Sequence, residues 1–155
     1  MNRLQDFYNR HDIKHANRLV RAIREKTIEY SKLADTGLYD LFQAVRGADN
    51  TDDKKIKVFA LITVAIERVL HLKPYDVQIQ GGIILSEGKI AEMKTGEGKT
   101  LTSLYPIIYH ACTGQVHAIT VNEYLAERDE NYLSPVYRFF GLKSAFNHQQ
   151  SSTFI

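Results

Sequence analysis

A glycine-rich segment near the middle of the chain has the residue types and spacing of a phosphate-binding loop. Its sequence is Met-Lys-Thr-Gly-Glu-Gly-Lys-Thr over residues 93–100. Glycines let successive backbone N–H groups point at one spot, and a helix that begins after the loop aims its positive N-terminal end there. In such loops the lysine, here Lys99, reaches the β- and γ-phosphates, and the next hydroxyl, here Thr100, holds Mg²⁺. The segment therefore predicts binding of ATP or GTP.

This segment departs from the common motif at one position, because Met93 stands where the pattern usually has glycine. The Thr-Gly-x-Gly-Lys-Thr variant over residues 95–100 is typical of helicase-like motor domains. An ordinary glycine-rich turn is the alternative interpretation. We favour the phosphate loop because a short apolar segment, residues 90–93, precedes it and a helical pattern follows it from Leu101.

The composition is that of one ordinary globular domain, with 155 residues of which 44% are hydrophobic and 25% charged. A formal net charge of +2, spread along the chain, does not indicate a nucleic-acid-binding surface. The single cysteine, Cys112, fits a reducing compartment, and its helical surroundings indicate packing and not nucleophilic chemistry. No signal-peptide pattern follows Met1 and no apolar run spans a bilayer, so any membrane contact is expected to be peripheral.

The first half of the chain is predicted to be helical, since apolar residues recur there at helical spacing. A long helix covers residues 16–34. Thr36 is the candidate N-cap of a second helix, and Thr51 begins a third helix that ends before Pro74. Residues 75–85 are ambiguous between strand and helix, and we favour a short helix because their apolar residues lie on one side.

The second half alternates between apolar segments and helical patterns. Strands are predicted over residues 90–93 and 117–121, and helices over residues 99–111 and 123–140, with Pro135 kinking or dividing the last helix. This order implies a parallel sheet of the nucleotide-binding type. We therefore predict an α/β fold in which amino-terminal helices precede an incomplete P-loop, RecA-like motor domain with a parallel sheet.

Three segments of the chain together resemble the SecA family, the ATPase motors of bacterial protein export. They are residues 75–88 (YDVQIQGGIILSEG), residues 90–102 (IAEMKTGEGKTLT), and residues 120–129 with 135–142 (TVNEYLAERD and PVYRFFGL). The combination is far more specific than a phosphate loop alone.

The resemblance divides the chain into three parts. Residues 1–73 form an amino-terminal helical segment, residues 74–142 form part of nucleotide-binding domain 1 with its phosphate loop, and residues 143–155 are a tail that no pattern places. The opening helices resemble the housekeeping and the accessory, substrate-dedicated forms of SecA equally, and this alternative stays open.

The resemblance also implies a set of nucleotide-binding residues. They are Gln78, Lys94, Thr95, Gly96, Glu97, Gly98, Lys99 and Thr100. Gln78 matches a glutamine whose amide pairs with the adenine edge, which favours ATP over GTP. The loop residues would bind phosphates mainly through backbone N–H groups, and Thr100 would hold Mg²⁺ through the nucleotide.

Several matched residues keep alternative roles. Lys94 lies either beside the phosphates or in solvent, and Tyr75 either packs on the base or anchors the start of a helix. Asp76 is either an N-terminal cap or a support for a neighbouring group, and not a catalytic residue. Residues 122–124 follow the second predicted strand, and we interpret them as structural or coupling residues.

Hydrolysis of ATP needs a carboxylate pair that holds Mg²⁺ and orients the attacking water. In the family this pair is an Asp-Glu motif after a later strand. No apolar strand ends in Asp-Glu after the loop, because Glu127, Asp129 and Glu130 fall within a predicted helix. The second motor domain is also missing from the sequence. No catalytic residue is assigned, and the chain is predicted not to hydrolyse ATP by itself.

The function that the resemblance implies is ATP binding within a motor that drives preprotein translocation across the cytoplasmic membrane. ATP and Mg²⁺ are the implied cofactors. The implied partners are a SecY-type channel, secreted preproteins and an anionic membrane surface, with no nucleic acid, and a homodimer is allowed. The implied location is the cytoplasm and the cytoplasmic face of the membrane.

Two other functions stay open. One is a fragment of a nucleic-acid helicase, against which the lack of a basic patch and the Gly81-Gly82 pair argue. The other is a non-catalytic interaction module that docks through its apolar helices. The predicted fold has a consequence for stability. In motor sheets of this kind the two predicted strands are not neighbours, so a sheet that contains only these two leaves backbone edges unpaired. We therefore expect the isolated chain to be marginally stable or prone to aggregation.

Overall fold

The structure, a computed structural model, describes residues 3–146 and their side chains from residue 11 onward. Six α-helices follow one another in this range, and the range contains no strand. They are α1 (Arg3–Tyr30), α2 (Asp35–Arg46), α3 (Asp52–Val69), α4 (Asp76–Ser86), α5 (Lys99–Ala111) and α6 (Glu123–Phe139). None of these described helices is long and apolar enough to cross a membrane.

Helix α3 is the centre of the molecule. Every residue from Val58 to Ile66 is buried, so this part of the helix is covered on all sides. An all-round apolar helix needs neighbours on every face, and α1, α2, α5 and α6 all pack against it. Helix α4 packs between α1 and α5 and is thereby placed next to the glycine-rich loop.

The predicted α/β fold with a parallel sheet is wrong, because the described part of the chain contains helices and no strand. Residues 90–93 and 117–121 form no strand ladder with each other or with any other described segment. Ile90, Ile119 and Val121 are 96%, 93% and 88% exposed. A strand needs a neighbour for its backbone N–H and C=O groups, and the helices complete a core without offering one. Short apolar runs predicted burial here, but these three side chains remain in solvent.

Most of the predicted helices are present, although their ends differ. Thr51 caps α3 as predicted, since its hydroxyl accepts a hydrogen bond from the Lys54 amide at 3.2 Å. Thr36 is not the N-cap, because α2 begins at Asp35 and Ala34 occupies the N-cap position, two residues before Thr36. Residues 75–85 do form a helix, α4, and α6 continues through Pro135 without division.

The carboxy-terminal tail is described only in part. Residues 143–146 contain no helix, and the Ser144 hydroxyl donates a hydrogen bond to a carboxylate oxygen of Glu130 at 2.9 Å. The remainder of the tail that no sequence pattern placed, residues 147–155, lies outside the described residues.

Candidate phosphate-binding site

The glycine-rich loop leads directly into α5 and has the backbone conformation that an anion site needs. Gly96 has φ 88°, and Gly98, the N-cap residue of α5, has φ 79°. Side-chain-bearing residues rarely adopt this left-handed conformation. The first N–H of α5 to find an acceptor is that of Thr102, which donates to the Gly98 carbonyl at 3.1 Å. The N–H groups of residues 99–101 have no acceptor within the helix and remain available to an anion.

Hydrogen bonds within the loop hold it in a closed turn. The Lys94 amide donates to a Glu97 carboxylate oxygen at 2.7 Å, and the Glu97 amide donates back to the Lys94 carbonyl at 3.3 Å. The Lys99 ammonium also donates to that carbonyl, at 3.0 Å. An ammonium carries three donors, so Lys99 can bind a phosphate oxygen with the donors that the carbonyl leaves over. The Glu97 carboxylate is used inside the loop.

Gln78 ties α4 to this loop. Its side chain is buried, with 4% exposure. The amide oxygen accepts a hydrogen bond from the Tyr75 N–H at 2.9 Å, and the amide nitrogen donates to the Glu97 carbonyl at 3.1 Å. A Cβ placed on Gly98 would lie only 2.1 Å from that nitrogen. The structure therefore brings Gln78, Glu97 and Gly98 together, as the assignment of Gln78 to the site requires.

A glycine pair in α4 allows the close approach of α4 and α5. A Cβ on Gly82 would lie 2.5 Å from Cβ of Tyr105, and one on Gly81 would lie 3.0 Å from Thr102 and 3.1 Å from Met93. Real Cβ atoms do not approach each other as closely as 2.5 Å, so only glycine at residue 82 permits this helix packing, whereas a Cβ at residue 81 would require Thr102 and Met93 to shift slightly. The packing sets the distance between Gln78 and the loop.

Tyr105 is the residue of α5 that packs against Gly82 of α4. Its ring stacks on Phe59 with centroids 5.0 Å apart, and its hydroxyl shares a hydrogen bond with the Thr63 hydroxyl at 3.1 Å. Burial raises the pKa of the Tyr105 hydroxyl far above its usual value, although the bond to Thr63 opposes that shift. Tyr105 is therefore neutral and serves as a wall of the core.

Glu87, in the turn directly after α4, anchors the start of the segment that leads from α4 to the glycine-rich loop. Its carboxylate accepts hydrogen bonds from Lys55 of α3 at 2.7 Å and from Lys89 at 3.0 Å. Burial raises the pKa of Glu87, but the two lysine bonds outweigh it, and the net pKa lies below the ordinary value. Glu87 is thus charged at neutral pH and pins the connection to the helical core.

The remaining residues of the predicted site lie at its rim. Lys94, Thr95 and Lys99 are exposed, while Thr100 is partly buried in the first turn of α5. No other side chain lies within hydrogen-bond distance of the Lys94 ammonium among the described residues, so solvent surrounds it. Tyr75 is exposed at the N-cap position of α4, which makes it the residue at the start of that helix.

Sequence reasoning missed two residues that support the site. Arg24 of α1 donates to the Asp76 carboxylate at 2.8 Å and to the Pro74 carbonyl at 2.6 Å, and so holds the start of α4. Asp76 therefore acts as a support for a neighbouring group. Thr102 is buried between Gly81 and the Gly98 carbonyl, to which its hydroxyl donates at 3.3 Å. No local pattern marks Arg24, because its partners lie about fifty residues along the chain.

The segment after the second predicted strand has a structural role at its start. The Asn122 side chain caps α6 by accepting a hydrogen bond from the Leu125 amide at 2.9 Å. Tyr124 is exposed beside it. Glu127, Asp129 and Glu130 lie on α6 as predicted.

The single cysteine, Cys112, is buried, and its thiol donates a hydrogen bond to the Ile108 carbonyl at 3.4 Å.

The side chains offer little to a metal ion by themselves. No group of three or more His, Cys, Asp or Glu residues that could hold a metal lies together between residues 3 and 146. The Thr100 hydroxyl, partly buried at the start of α5, is the one protein ligand that the sequence assigns to Mg²⁺. Mg²⁺ commonly binds through substrate phosphates and water with few protein ligands, and the loop fits an ion that arrives with a nucleotide.

Comparison with known proteins places the whole chain in one family. The family model for the SecA DEAD-like domain matches residues 1–154. A protein translocase subunit SecA from Sulfurimonas denitrificans is 42% identical over 139 residues, which are 86% of this chain and 16% of that protein. The corresponding protein from Desulforudis audaxviator is 43% identical over 142 residues, or 88% of this chain and 16% of that protein.

A more distant relative covers more of the chain. The protein translocase subunit SecA from Aquifex aeolicus is 37% identical over 161 aligned positions, which cover 95% of this chain and 16% of that protein. The chain thus spans about a sixth of the length of these relatives. These matches confirm the resemblance that the sequence motifs indicated, and the chain belongs to the SecA DEAD-like domain family.

Proposed function

We propose that this chain binds the phosphates of ATP at residues 94–100. The observation that carries the proposal is the loop backbone: two glycines in the left-handed region lead into a helix whose first N–H groups have no acceptor within the helix. Such an arrangement of N–H groups at a helix N-terminus binds anions because the donors and the helix dipole act together.

Different side chains of the loop would bind the phosphates and the Mg²⁺ ion. Lys99 would turn its ammonium from the Lys94 carbonyl, 3.0 Å away, toward the β- and γ-phosphates. Thr100 would bind Mg²⁺, which when bound neutralises charge on the phosphates. Lys94 and Thr95, both exposed, would lie at the rim.

We further propose that the chain binds nucleotide without hydrolysing it. Glu97 is a residue of the loop itself, and its carboxylate accepts a hydrogen bond from the Lys94 amide. Asp129, one of the α6 carboxylates, is paired with Arg128 at 2.6 Å. Neither carboxylate is arranged to orient a water molecule against a phosphate, which hydrolysis requires.

In the whole protein this loop would form part of an ATP site that drives translocation. The relatives carry the name protein translocase subunit SecA. We extend the role in translocation that this name states to the present protein. Its partners would be a SecY-type channel and secreted preproteins, with the protein in the cytoplasm and on the cytoplasmic face of an anionic membrane. A homodimer is compatible with this role.

Titration of labelled ATP against the chain tests the proposal. Lys99→Ala should weaken binding at least about tenfold, since a charged hydrogen bond contributes roughly 1.5–3 kcal/mol. Lys143→Ala is the matched control, because Lys143 is an exposed lysine distant in sequence from the loop. Equal affinity of the unchanged chain and of Lys99→Ala would contradict the proposed site.

A second candidate function is an interaction module that does not depend on nucleotide. It is favoured by the three exposed apolar side chains Ile90, Ile119 and Val121, which lie in segments that form neither helix nor strand in the described structure. Absence of any ATP binding by the unchanged chain, together with binding to a translocation partner, would favour this function over the first.

A further inference from the structure

A carboxylate lies inside the segment that is proposed to bind phosphates. Glu97 is the one acidic residue among residues 93–100, which also contain two lysines. A negative side chain repels a negative ligand, so Glu97 works against the binding of a phosphate. We infer that Glu97 holds the loop in a closed turn and lowers its affinity for phosphates, most strongly for the ligand with the most negative charge. The inference rests on the proposed function, because it concerns the same loop.

The Glu97 side chain closes a turn over the start of the loop. A carboxylate oxygen accepts a hydrogen bond from the Lys94 amide at 2.7 Å, and the Glu97 amide donates to the Lys94 carbonyl at 3.3 Å. A glutamate that bonds the backbone N–H three residues before it makes the same contact in a capping box at the start of a helix. A hydrogen bond to a charged acceptor is roughly twice as strong as one between neutral groups. Glu97 thereby stabilises the turn over residues 94–97.

The same turn engages the lysine that is assigned to the phosphates. The Lys94 carbonyl, which accepts from the Glu97 amide, also accepts a hydrogen bond from the Lys99 ammonium at 3.0 Å. The Lys99 ammonium is thus bonded to a carbonyl that the turn holds in place. A phosphate that binds Lys99 must compete with this carbonyl, so stabilising the closed turn also opposes phosphate binding.

No positive charge neutralises the Glu97 carboxylate within the part of the structure whose side chains are described. Over residues 11–146 this carboxylate forms no ion pair, although two lysines lie in the same loop. Glu87, at the start of the same connection, instead pairs with both Lys55 and Lys89. Two ammonium groups cancel much of the field of a carboxylate, whereas a carboxylate without them repels any anion nearby. The charge of Glu97 therefore acts on an anion that the loop binds.

This repulsion grows with the charge of the ligand. ATP carries one phosphate group and one negative charge more than ADP, and inorganic tripolyphosphate carries the phosphate charge without a base. The energy between two charges is proportional to their product. Glu97 therefore lowers the affinity for a triphosphate more than the affinity for a diphosphate. It shifts the ratio of the two affinities in favour of ADP.

Three substitutions separate the charge of this side chain from its hydrogen bond. Glu97→Gln removes the charge, while its amide oxygen can still accept from the Lys94 N–H. Glu97→Ala removes both the charge and the acceptor. Asp49→Asn is the matched control, because it removes one exposed negative charge at the opposite end of α5. The neighbouring Asn50 side chain accepts a hydrogen bond from Tyr109, which lies about 15 Å from the loop along the axis of α5.

The first measurement is the Kd of the full chain for ATP, ADP and inorganic tripolyphosphate at low and high salt. Glu97→Gln should tighten the binding of ATP and tripolyphosphate by about threefold to tenfold and that of ADP by a smaller factor. These gains should shrink at about 0.5 M salt, which screens exposed charges. Asp49→Asn should change each Kd by less than about twofold. Unchanged or weaker ATP binding by Glu97→Gln, an equal gain for ATP and ADP, or an equal gain from Asp49→Asn would overturn the inference.

The second measurement needs no nucleotide. Residue-resolved hydrogen exchange at the Lys94 amide reports on its bond to the Glu97 side chain. Glu97→Ala should speed this exchange about fivefold or more, and Glu97→Gln, which keeps an acceptor, should speed it less. Unchanged exchange in Glu97→Ala would overturn the inference, because Glu97 would then not hold the turn.

The two measurements also distinguish this inference from the proposed function. If the unchanged chain binds ATP and Glu97→Gln binds it no more tightly, the inference fails and the proposed function stands. If neither chain binds any of the three ligands, the proposed function fails together with the effect of the charge. Faster exchange at the Lys94 amide in Glu97→Ala would still establish that Glu97 closes the turn.

Discussion

The connection into α5, residues 87–98, and the connection into α6, residues 112–122, share a sequence pattern. They differ in the hydrogen bonds that attach them to the rest of the protein. Each has a short apolar segment followed by a helix. The first is anchored by Glu87 on Lys55, by Gln78 on Glu97 and by Lys99 on Lys94. In the second, Ile119 and Val121 are exposed, and the Thr120 hydroxyl is buried with no hydrogen-bond partner among the described residues.

The difference shows that contacts from neighbouring helices, and not the local pattern, determine whether such a segment is ordered around a site. The α5 connection passes beside α4, whose glycine pair brings Gln78 close. At the end of the α6 connection, the Asn122 side chain caps the helix. The following substitutions test this comparison, in order of decreasing expected effect.

Gly82→Ala should have the largest effect, because it separates α4 from α5. The new Cβ would lie 2.5 Å from Cβ of Tyr105, and neither atom belongs to a flexible chain end. We expect a loss of about 3 kcal/mol in the free energy of unfolding, as for overpacked cores, measured by urea denaturation. Gly37→Ala, in α2 with only ordinary contacts at 3.8 Å, should instead leave stability unchanged or raise it by up to about 1 kcal/mol. Equal effects of the two substitutions would contradict the proposed packing.

Gly98→Ala tests how strongly contacts with α4 stabilise the connection into α5. Gly114→Ala is the corresponding substitution in the connection into α6. Alanine at residue 98 must adopt φ near 79° and displace the Gln78 amide. We expect a loss of about 2 kcal/mol, from backbone strain and one lost hydrogen bond. A Cβ on Gly114 meets no atom within 4 Å, so Gly114→Ala should change stability by less than about 0.5 kcal/mol. The same denaturation experiment compares them, and a larger loss at Gly114 would reverse the comparison.

Ile119→Ser should have the smallest effect. The side chain is 93% exposed, so replacing it should change the free energy of unfolding by less than about 0.5 kcal/mol. Ile79→Ser, in the buried face of α4, should cost at least about 2 kcal/mol by the same measurement. A loss above about 1.5 kcal/mol for Ile119→Ser would show that the α6 connection is buried in solution.

The isolated chain was expected to be marginally stable or prone to aggregation because two strands would leave unpaired edges, and that reason does not hold, since the described residues form no strand. The expected behaviour itself remains a prediction. The exposed apolar side chains of residues 90, 119 and 121 favour it. A sharp, cooperative thermal transition of a monomer, measured by calorimetry and analytical ultracentrifugation, would contradict it. The same measurement with Ile119→Ser should show less self-association.

The sequence by itself determined the features that depend on residues within a turn or two of one another. Helical periodicity placed α1, α3, α5 and α6, the Thr51 hydroxyl marked the start of α3, and the glycine spacing located the loop. The motifs around the loop were also sufficient to identify the family. These features follow from local hydrogen bonds and side-chain spacing, which the order of residues specifies directly.

Only the tertiary structure decided the features that depend on distant partners. Apolar runs at residues 90–93 and 117–121 predicted strands, yet a strand exists only where another segment pairs with it. Gln78 was assigned to the site from its motif, but its bonds to Tyr75 and Glu97 depend on the packing of α4 on α5. Arg24 joined the site through contacts about fifty residues away. Such pairings depend on how the helices are arranged in space, and no local pattern of residues specifies them.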